Sequence, residues 1–225
     1  MRILLVAATV LEVKKLTLQT LDEGIPVKVD SGTNHSLYIL ITGVGAAPTA
    51  FYMGRYAEGF DVVINIGIAG SYSSKLAVGQ VVVVRQDMFG DYGIDDNGKF
   101  QTLSQAGLMG KSLLSSAGLM VNPWIGKEIV IAELPLVSGI TLGTASGSES
   151  IVERVTNTWN PDIETMEGAA VFYSCLLLHR PFICLRAISN WVGPRNADSW
   201  NIDGALNNLH AAALKLIQSF GVTAW

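Results

Sequence analysis

The amino-acid sequence predicts an α/β fold, a three-layer αβα sandwich with a central mixed, largely parallel sheet. Three observations carry that expectation. Short β-rich apolar runs recur along the 225 residues, and most lack polar alternation, as strands covered on both faces do. Helix-like segments separate several of these runs. Hydrophobic residues make up 49% of the chain and charged residues 15%, ample material for a core.

In order, the strand-like runs are 2–8 (RILLVAA), 37–42 (LYILIT), 62–68 (VVINIGI), 80–85 (QVVVVR), 128–133 (EIVIAE) and 182–188 (FICLRAI). A further short strand is expected at 162–166. Helical patterns cover 11–22, 46–58, 104–118, 149–158, 167–179 and 203–220. Pro48 suits a first helical turn, and Asp203 suits the N-cap of the last helix. The polar, Gly-rich stretch 86–103 reads as an excursion with loops or a hairpin. No composition shift or repeat marks a boundary, so residues 1–225 are taken as a single domain.

A net charge of −4 and the lack of a basic stripe argue against nucleic acid as a partner. No apolar run reaches the ~18 residues that span a bilayer. The start, MRILLVAATV, is followed by an amphipathic pattern rather than a cleavage site. A cytoplasmic protein without membrane contact is therefore expected. Cys175 and Cys184 lie in apolar segments at no metal spacing, and His35, His179 and His210 share none. Neither a metal nor another cofactor is implied. The high apolar content suggests contacts between copies of the chain, as a homodimer or larger assembly.

In sheets of this kind ligands collect past the carboxyl ends of strands, so chemistry is expected at those positions. Glu12 follows the first strand; on that stretch alone it reads as a solvated helix residue near the dipole's positive end. Gly43 and Gly45 in TGVGAAP could bring N–H groups to an anion or simply make a tight turn. A dinucleotide fingerprint fails there, since Pro48 replaces its third glycine. Gly67 and Gly70 leave the backbone approachable or, again, make a turn.

Glu167 is read as the first residue of a helix. It is either a plain helix-start carboxylate or a pair of acceptor oxygens suited to a vicinal diol such as a ribose. Arg186, in an apolar strand, must have a partner, and Glu164 or Glu167 is the natural one. Asn190 offers one acceptor and one amide donor, matching the N7/O6 edge of a 6-oxopurine, or it makes a turn.

The stretches SGSES, ETMEGAAVFYSCL, NIGIAGSY and RAISNWVGPRNADSWNI, in their order and separations, resemble the purine nucleoside phosphorylase/uridine phosphorylase superfamily over nearly the whole chain. Within it the chain is similar to the methylthioadenosine/S-adenosylhomocysteine nucleosidases, and more so to the futalosine hydrolases of menaquinone biosynthesis. That resemblance implies a nucleoside phosphorylase-like fold, a small-molecule nucleoside substrate and relatives that are dimers or larger. It implies Glu12 as the carboxylate that activates water and Asn190 as the residue facing purine N7. It also implies Met166 and Glu167 at the ribose, with Gly67, Ser148, Ser150, Ile151 and Arg186 around the substrate.

The methylthioadenosine nucleosidases carry Asp where this chain has Asn190, so an oxopurine is expected rather than adenine. The loop AATVLEV lacks Arg and Gly, and the resemblance implies that Asn65 stands in the region where the uridine phosphorylase branch carries an Arg; water is therefore expected as nucleophile. Trp191, Arg195 and Trp200 are candidates for the 5′ end of such a substrate.

Overall fold

A computed structural model of the chain describes residues 1–30, 32–108, 118–126, 134–194 and 200–220. Its elements are β1 (Arg2–Ala7), β2 (Val27–Val29), β3 (Ser36–Ile41), α1 (Ala46–Tyr56), β4 (Val62–Ser71), β5 (Val81–Asp87), β6 (Gly93–Asp96), β7 (Lys99–Thr102), β8 (Met120–Val121), β9 (Leu136–Thr141), α2 (Glu149–Trp159), β10 (Ile163–Thr165), α3 (Gly168–Leu177), β11 (Phe182–Trp191) and α4 (Ile202–Ser219). Short 3-10 turns cover Val10–Glu12 and Ala57–Gly59. The strand expected at 128–133 lies outside the described residues. So does most of the helix expected at 104–118, whose first residues form turns.

Strand neighbours follow the order β10-β9-β5-β11-β4-β1-β3-β2, with β8 beside β5. Pairing is parallel between β1 and β3, β1 and β4, β4 and β11, β5 and β9, and β9 and β10. It is antiparallel where β11 meets β5 and β4 meets β10. The mixed, largely parallel sheet is thus present. It does not lie open between two helix layers: β4, β11, β5, β9 and β10 close a ring. β4 runs on to Ser71, and its last residues Gly70 and Ser71 take Glu164 and Ile163 of β10 as partners. A twisted sheet that pairs its free edge in this way removes an exposed row of N–H and C=O groups.

Two apolar clusters flank the sheet, as the alternation of side chains along β1 dictates. Ile3, Leu5 and Ala7 pack with Leu206, Leu209, Ala213 and Ile217 of α4. Leu4 and Val6 share the other cluster with Met53 of α1 and Ala169, Val171, Phe172 and Cys175 of α3. Both cysteines are buried free thiols, and burial pushes the Cys184 thiol up to about 12. The 86–103 excursion holds a hairpin, β6 on β7. Among the described residues no helix is long and apolar enough to cross a membrane.

Two local expectations change. Residues 11–22 do not form a helix: after Glu12 the chain passes into turns and irregular structure. There the Thr17 hydroxyl accepts a hydrogen bond from Gln19 N–H at 3.1 Å, a local bond that competes with helix formation. Asp203 is not the cap of α4. Asn201 is, its side chain accepting from Gly204 N–H at 3.0 Å, while Asp203 stands in the first turn.

Candidate active site

A cavity of about 310 Å³ lies at the carboxyl ends of β1, β4 and β11, where β10 hands over to α3. The polar side chains on its walls include Glu12, Ser146, Glu164, Glu167, Ser189 and Asn190, and Met166, Ile68, Trp200 and Leu206 are among the apolar ones. Seven of the residues singled out from the sequence therefore meet in one space: Glu12, Gly70, Glu164, Met166, Glu167, Asn190 and Trp200.

Glu12 is not a solvated helix residue. It is buried, 8% exposed, in the 3-10 turn after β1. Its Oε2 accepts from Thr9 N–H at 2.9 Å. Burial raises its pKa above the ordinary carboxylate value, and the negative Glu167 raises it further. The Thr9 and Ile68 N–H groups and the positive Arg186 act the other way. Net elevation suits a proton acceptor, because a base works best with a pKa near the working pH. From α4, His210 Nε2 lies 2.8 Å from the Glu12 carbonyl oxygen, and burial holds the imidazole pKa below its usual value. A neutral ring with Nε2–H donating therefore pins the turn that carries Glu12.

Gly67 does not line the cavity; it makes room for what does. A Cβ there would lie 2.9 Å from Glu12 Oε1 and 3.7 Å from the Arg186 guanidinium. Arg186 lies behind it, 2% exposed. Neither Glu164 nor Glu167 is its hydrogen-bond partner. Its guanidinium donates to the Asn65 side-chain oxygen, to the Leu185 carbonyl at 2.8 Å and to the Asn65 carbonyl at 3.4 Å. Asn65 in turn donates to the Val6 carbonyl at 3.0 Å. A neutral amide and main-chain oxygens accept from three of the guanidinium's five donors. Its positive charge remains to act on Glu12 and on the buried Asp87.

Asn190 is placed by an irregularity in β11. Ile188 pairs with Ala69 and Asn190 with Gly70, so Ser189 is an extra residue in the ladder. Such bulges re-aim side chains. The Asn190 Oδ1 accepts from the Ser189 hydroxyl at 2.7 Å, and its Nδ2 donates to the Trp191 carbonyl at 3.0 Å. These two bonds fix which way the amide faces. Each side still has one hydrogen-bonding position open.

Glu167 stands one residue before α3, as its N-cap, without capping it. Its Oε1 instead accepts from Gly45 N–H at 2.8 Å. The Gly-rich turn after β3 does bring an N–H to an anion, and the anion is this carboxylate. Each Glu164 oxygen has a protein partner: Oε2 accepts from the Tyr72 hydroxyl at 2.5 Å and Oε1 from Ser146 N–H at 2.9 Å.

Ser148, Ser150 and Ile151 are displaced from the cavity by a short distance in sequence. The two serine hydroxyls lie 3.3 Å apart at the start of α2, and Ile151 packs against the cluster of Ile140, Leu142 and Val155. Ala145 and Ser146 of the same stretch face the cavity instead. Trp200 lines the cavity; Trp191 is 62% exposed and donates to the Leu76 carbonyl; Arg195 lies outside the described residues. Sequence reasoning missed Ser146, Ser189, Ile202 and Leu206. The SGSES motif pointed to the right loop, but nothing in the α4 pattern marked its first turns as a cavity wall. Among the described residues no group of three or more His, Cys, Asp or Glu is placed to hold a metal ion.

The family model described as the phosphorylase superfamily matches residues 2–220. A futalosine hydrolase from Thermus thermophilus is 27% identical over 188 residues, covering 81% of each chain. A futalosine hydrolase from Streptomyces coelicolor is 30% identical over 185 residues, covering 79% of this chain and 77% of the relative. Among solved structures, a 5′-methylthioadenosine/S-adenosylhomocysteine nucleosidase from Neisseria meningitidis, in complex with methylthio-immucillin-A, superposes with a TM-score of 0.75. It shares 17% identity and covers 97% of this chain and 99% of its own.

Proposed function

Since this chain belongs to the phosphorylase superfamily, we propose that it hydrolyses the N-glycosidic bond of futalosine, releasing hypoxanthine and dehypoxanthine futalosine. One observation carries the reading: Glu12, Glu167 and Asn190, from three separate elements, converge on one cavity. Futalosine hydrolases are among its relatives.

The chemistry follows from the three positions. Water attacks C1′ of the ribose as the bond to N9 breaks, and the bonding pair leaves with the base. Glu12 takes the proton from water, a general-base contribution of ~10²–10⁴-fold. Glu167 accepts from the ribose 2′- and 3′-hydroxyls with its free lone pairs, and Met166 packs against the sugar. N7 of the departing hypoxanthine takes up a proton from solvent, and Asn190 accepts from that N7–H and donates to O6, interactions that strengthen as charge builds on the base. An adenine edge would leave an amide group unpaired, at ~1–3 kcal/mol. Trp200, which lines the cavity, flanks the 5′ substituent in this reading.

Water rather than phosphate is the nucleophile. Phosphate recognition calls for a cationic cradle, and among the described residues the cavity wall holds no Lys or Arg. Arg186 is engaged with Asn65. The test is incubation with futalosine, inosine and methylthioadenosine, each with and without phosphate, followed by assay of free bases. Hypoxanthine from futalosine without phosphate supports the reading. Adenine from methylthioadenosine as the main product would replace it with the adenine-specific nucleosidase reading. A requirement for phosphate, with ribose-1-phosphate formed, would replace it with phosphorolysis.

A further inference from the structure

The start of α3 is capped by residues other than its own cap. The first N–H groups of a helix lack intrahelical partners, and leaving them buried and unpaired is costly. Glu167 occupies the cap position, yet its side chain turns to Gly45 and the cavity. Gly168 N–H donates instead to Thr165 Oγ1 at 3.1 Å, and Ala169 N–H to Thr141 Oγ1 at 2.7 Å. Thr165 belongs to β10 and Thr141 to β9, so the cap is assembled from two neighbouring strands.

A third residue sets the direction of this network. The two threonine hydroxyls lie 3.3 Å apart, and Thr141 Oγ1 lies 3.1 Å from Asp87 Oδ1. Each hydroxyl has a single proton. Asp87 Oδ1 accepts that of Thr141, so Thr165 donates to Thr141, and both oxygens keep a lone pair for a helix N–H. Asp87, Thr141 and Thr165 are all buried. Among the described residues Asp87 Oδ2 has no hydrogen-bond partner. It lies where a side chain at Gly168 would have to be, so the absence of one at 168 is what lets Asp87 approach the helix start.

We propose that Asp87, Thr141 and Thr165 form a substitute cap for α3 that frees the Glu167 carboxylate for the cavity, with Thr141 as the positioning residue. The proposal rests on the reading that Glu167 holds the ribose. Without the Thr141 hydroxyl, Ala169 N–H is orphaned, and Glu167, which already occupies the cap position, is the residue whose side chain turns back to it. Its return to its own helix draws it from Gly45 and from the sugar.

The experiment measures kcat and KM on futalosine and on its 2′-deoxy analogue for wild type, Thr141→Val, Thr141→Ser, Thr165→Val and Glu167→Gln. Thr141→Val is expected to lower the ribose over 2′-deoxyribose preference about tenfold or more, the ratio carried by one hydrogen bond to a charged group. Thr141→Ser, which restores the hydroxyl, should keep the wild-type ratio, and Thr165→Val should shift it in the direction of Thr141→Val. Loss of the ratio in Glu167→Gln with none in either valine variant would overturn the proposal. An unchanged ratio in Glu167→Gln would instead overturn the ribose reading. In that case a crystal structure of Thr141→Val decides the cap: Glu167 folded back onto the α3 N–H groups supports it, and Glu167 still on Gly45 N–H refutes it.

Discussion

Asp87→Asn should make the protein more stable at neutral pH and less sensitive to pH. Asp87 is wholly buried, and burial raises its pKa from 3.8 to about 7, although the Met88 N–H, Arg186 and the Thr141 hydroxyl all favour the ionised form. The native state therefore keeps a proton that the unfolded chain releases near pH 4. Where the native state binds more protons than the unfolded one, stability falls as pH rises. The loss begins near pH 4 and is complete above pH 7. A pKa raised by about three, at ~1.4 kcal/mol for each tenfold change in proton affinity, gives a cost of ~4 kcal/mol. Between pH 5 and pH 8 the wild type should lose about 2–3 kcal/mol relative to Asp87→Asn. The asparagine oxygen can still accept from Met88 N–H and Thr141, so the variant behaves as a permanently protonated Asp87. Urea unfolding of both proteins at pH 5, 6, 7 and 8 measures the difference, in which the titration of other groups largely cancels. A stability difference independent of pH would show that Asp87 ionises normally and that its orphaned Oδ2 carries no cost.

Other substitutions probe the cavity itself. Glu12→Gln should lower kcat by ~10²–10⁴-fold with futalosine still bound, as steady-state kinetics and calorimetric titration would show; near-normal kcat would remove Glu12 from the chemistry. Since the Glu12 pKa is raised, the acid limb of the wild-type kcat/KM profile should lie above the ordinary carboxylate range and activity should rise with pH across it. Asn190→Asp should lower kcat/KM on futalosine about tenfold or more, the cost of one mispaired group, and raise the relative rate on methylthioadenosine. Gly67→Ala places a Cβ 2.9 Å from Glu12 Oε1; displacing that carboxylate should cut kcat about tenfold or more while KM changes little.

The sheet and most helices were legible because long apolar runs and helical periodicity are local signals. β1, β3, β4, β5 and β11 start within a residue of the runs that predict them. β2, β8 and β9 were missed. β2 and β8 are two or three residues long, and β9 (LVSGIT) mixes Ser, Gly and Thr, so the period-2 signal is absent. Ring closure was invisible for a related reason: it depends on Gly70 and Ser71 changing partners at the end of β4, and pairing between distant segments leaves no mark on either one. At the site, individual residue types were legible and their partners were not. Arg186 demanded a partner, and charge alone nominated two glutamates. The partner is an uncharged amide at Asn65, one strand away and in register with Cys184.

The same distinction explains the carboxylate at the mouth of α3. A Ser or Asn at 167 would satisfy the helix start with its own side chain, and that side chain would then be unavailable to a ligand. Glu167 is free for the cavity because Gly168 and Ala169 find their acceptors on β10 and β9. The threonines are free to accept because Asp87 takes the Thr141 proton. Ionising a buried Asp87 costs several times the ~1 kcal/mol that a good cap contributes, so the gain from capping alone does not account for a carboxylate at 87. Orientation does: Asp87 Oδ1 accepts from Met88 N–H and from the Thr141 hydroxyl, so it presents an acceptor to Thr141 whether the carboxyl is ionised or carries its proton on Oδ2. Asp87→Asn separates the two effects, since it should gain stability at pH 8 while Thr141 keeps an acceptor. A variant that gained stability and also lost the ribose preference would show that the fixed sense of the acceptor, and not its presence alone, holds Glu167 in place.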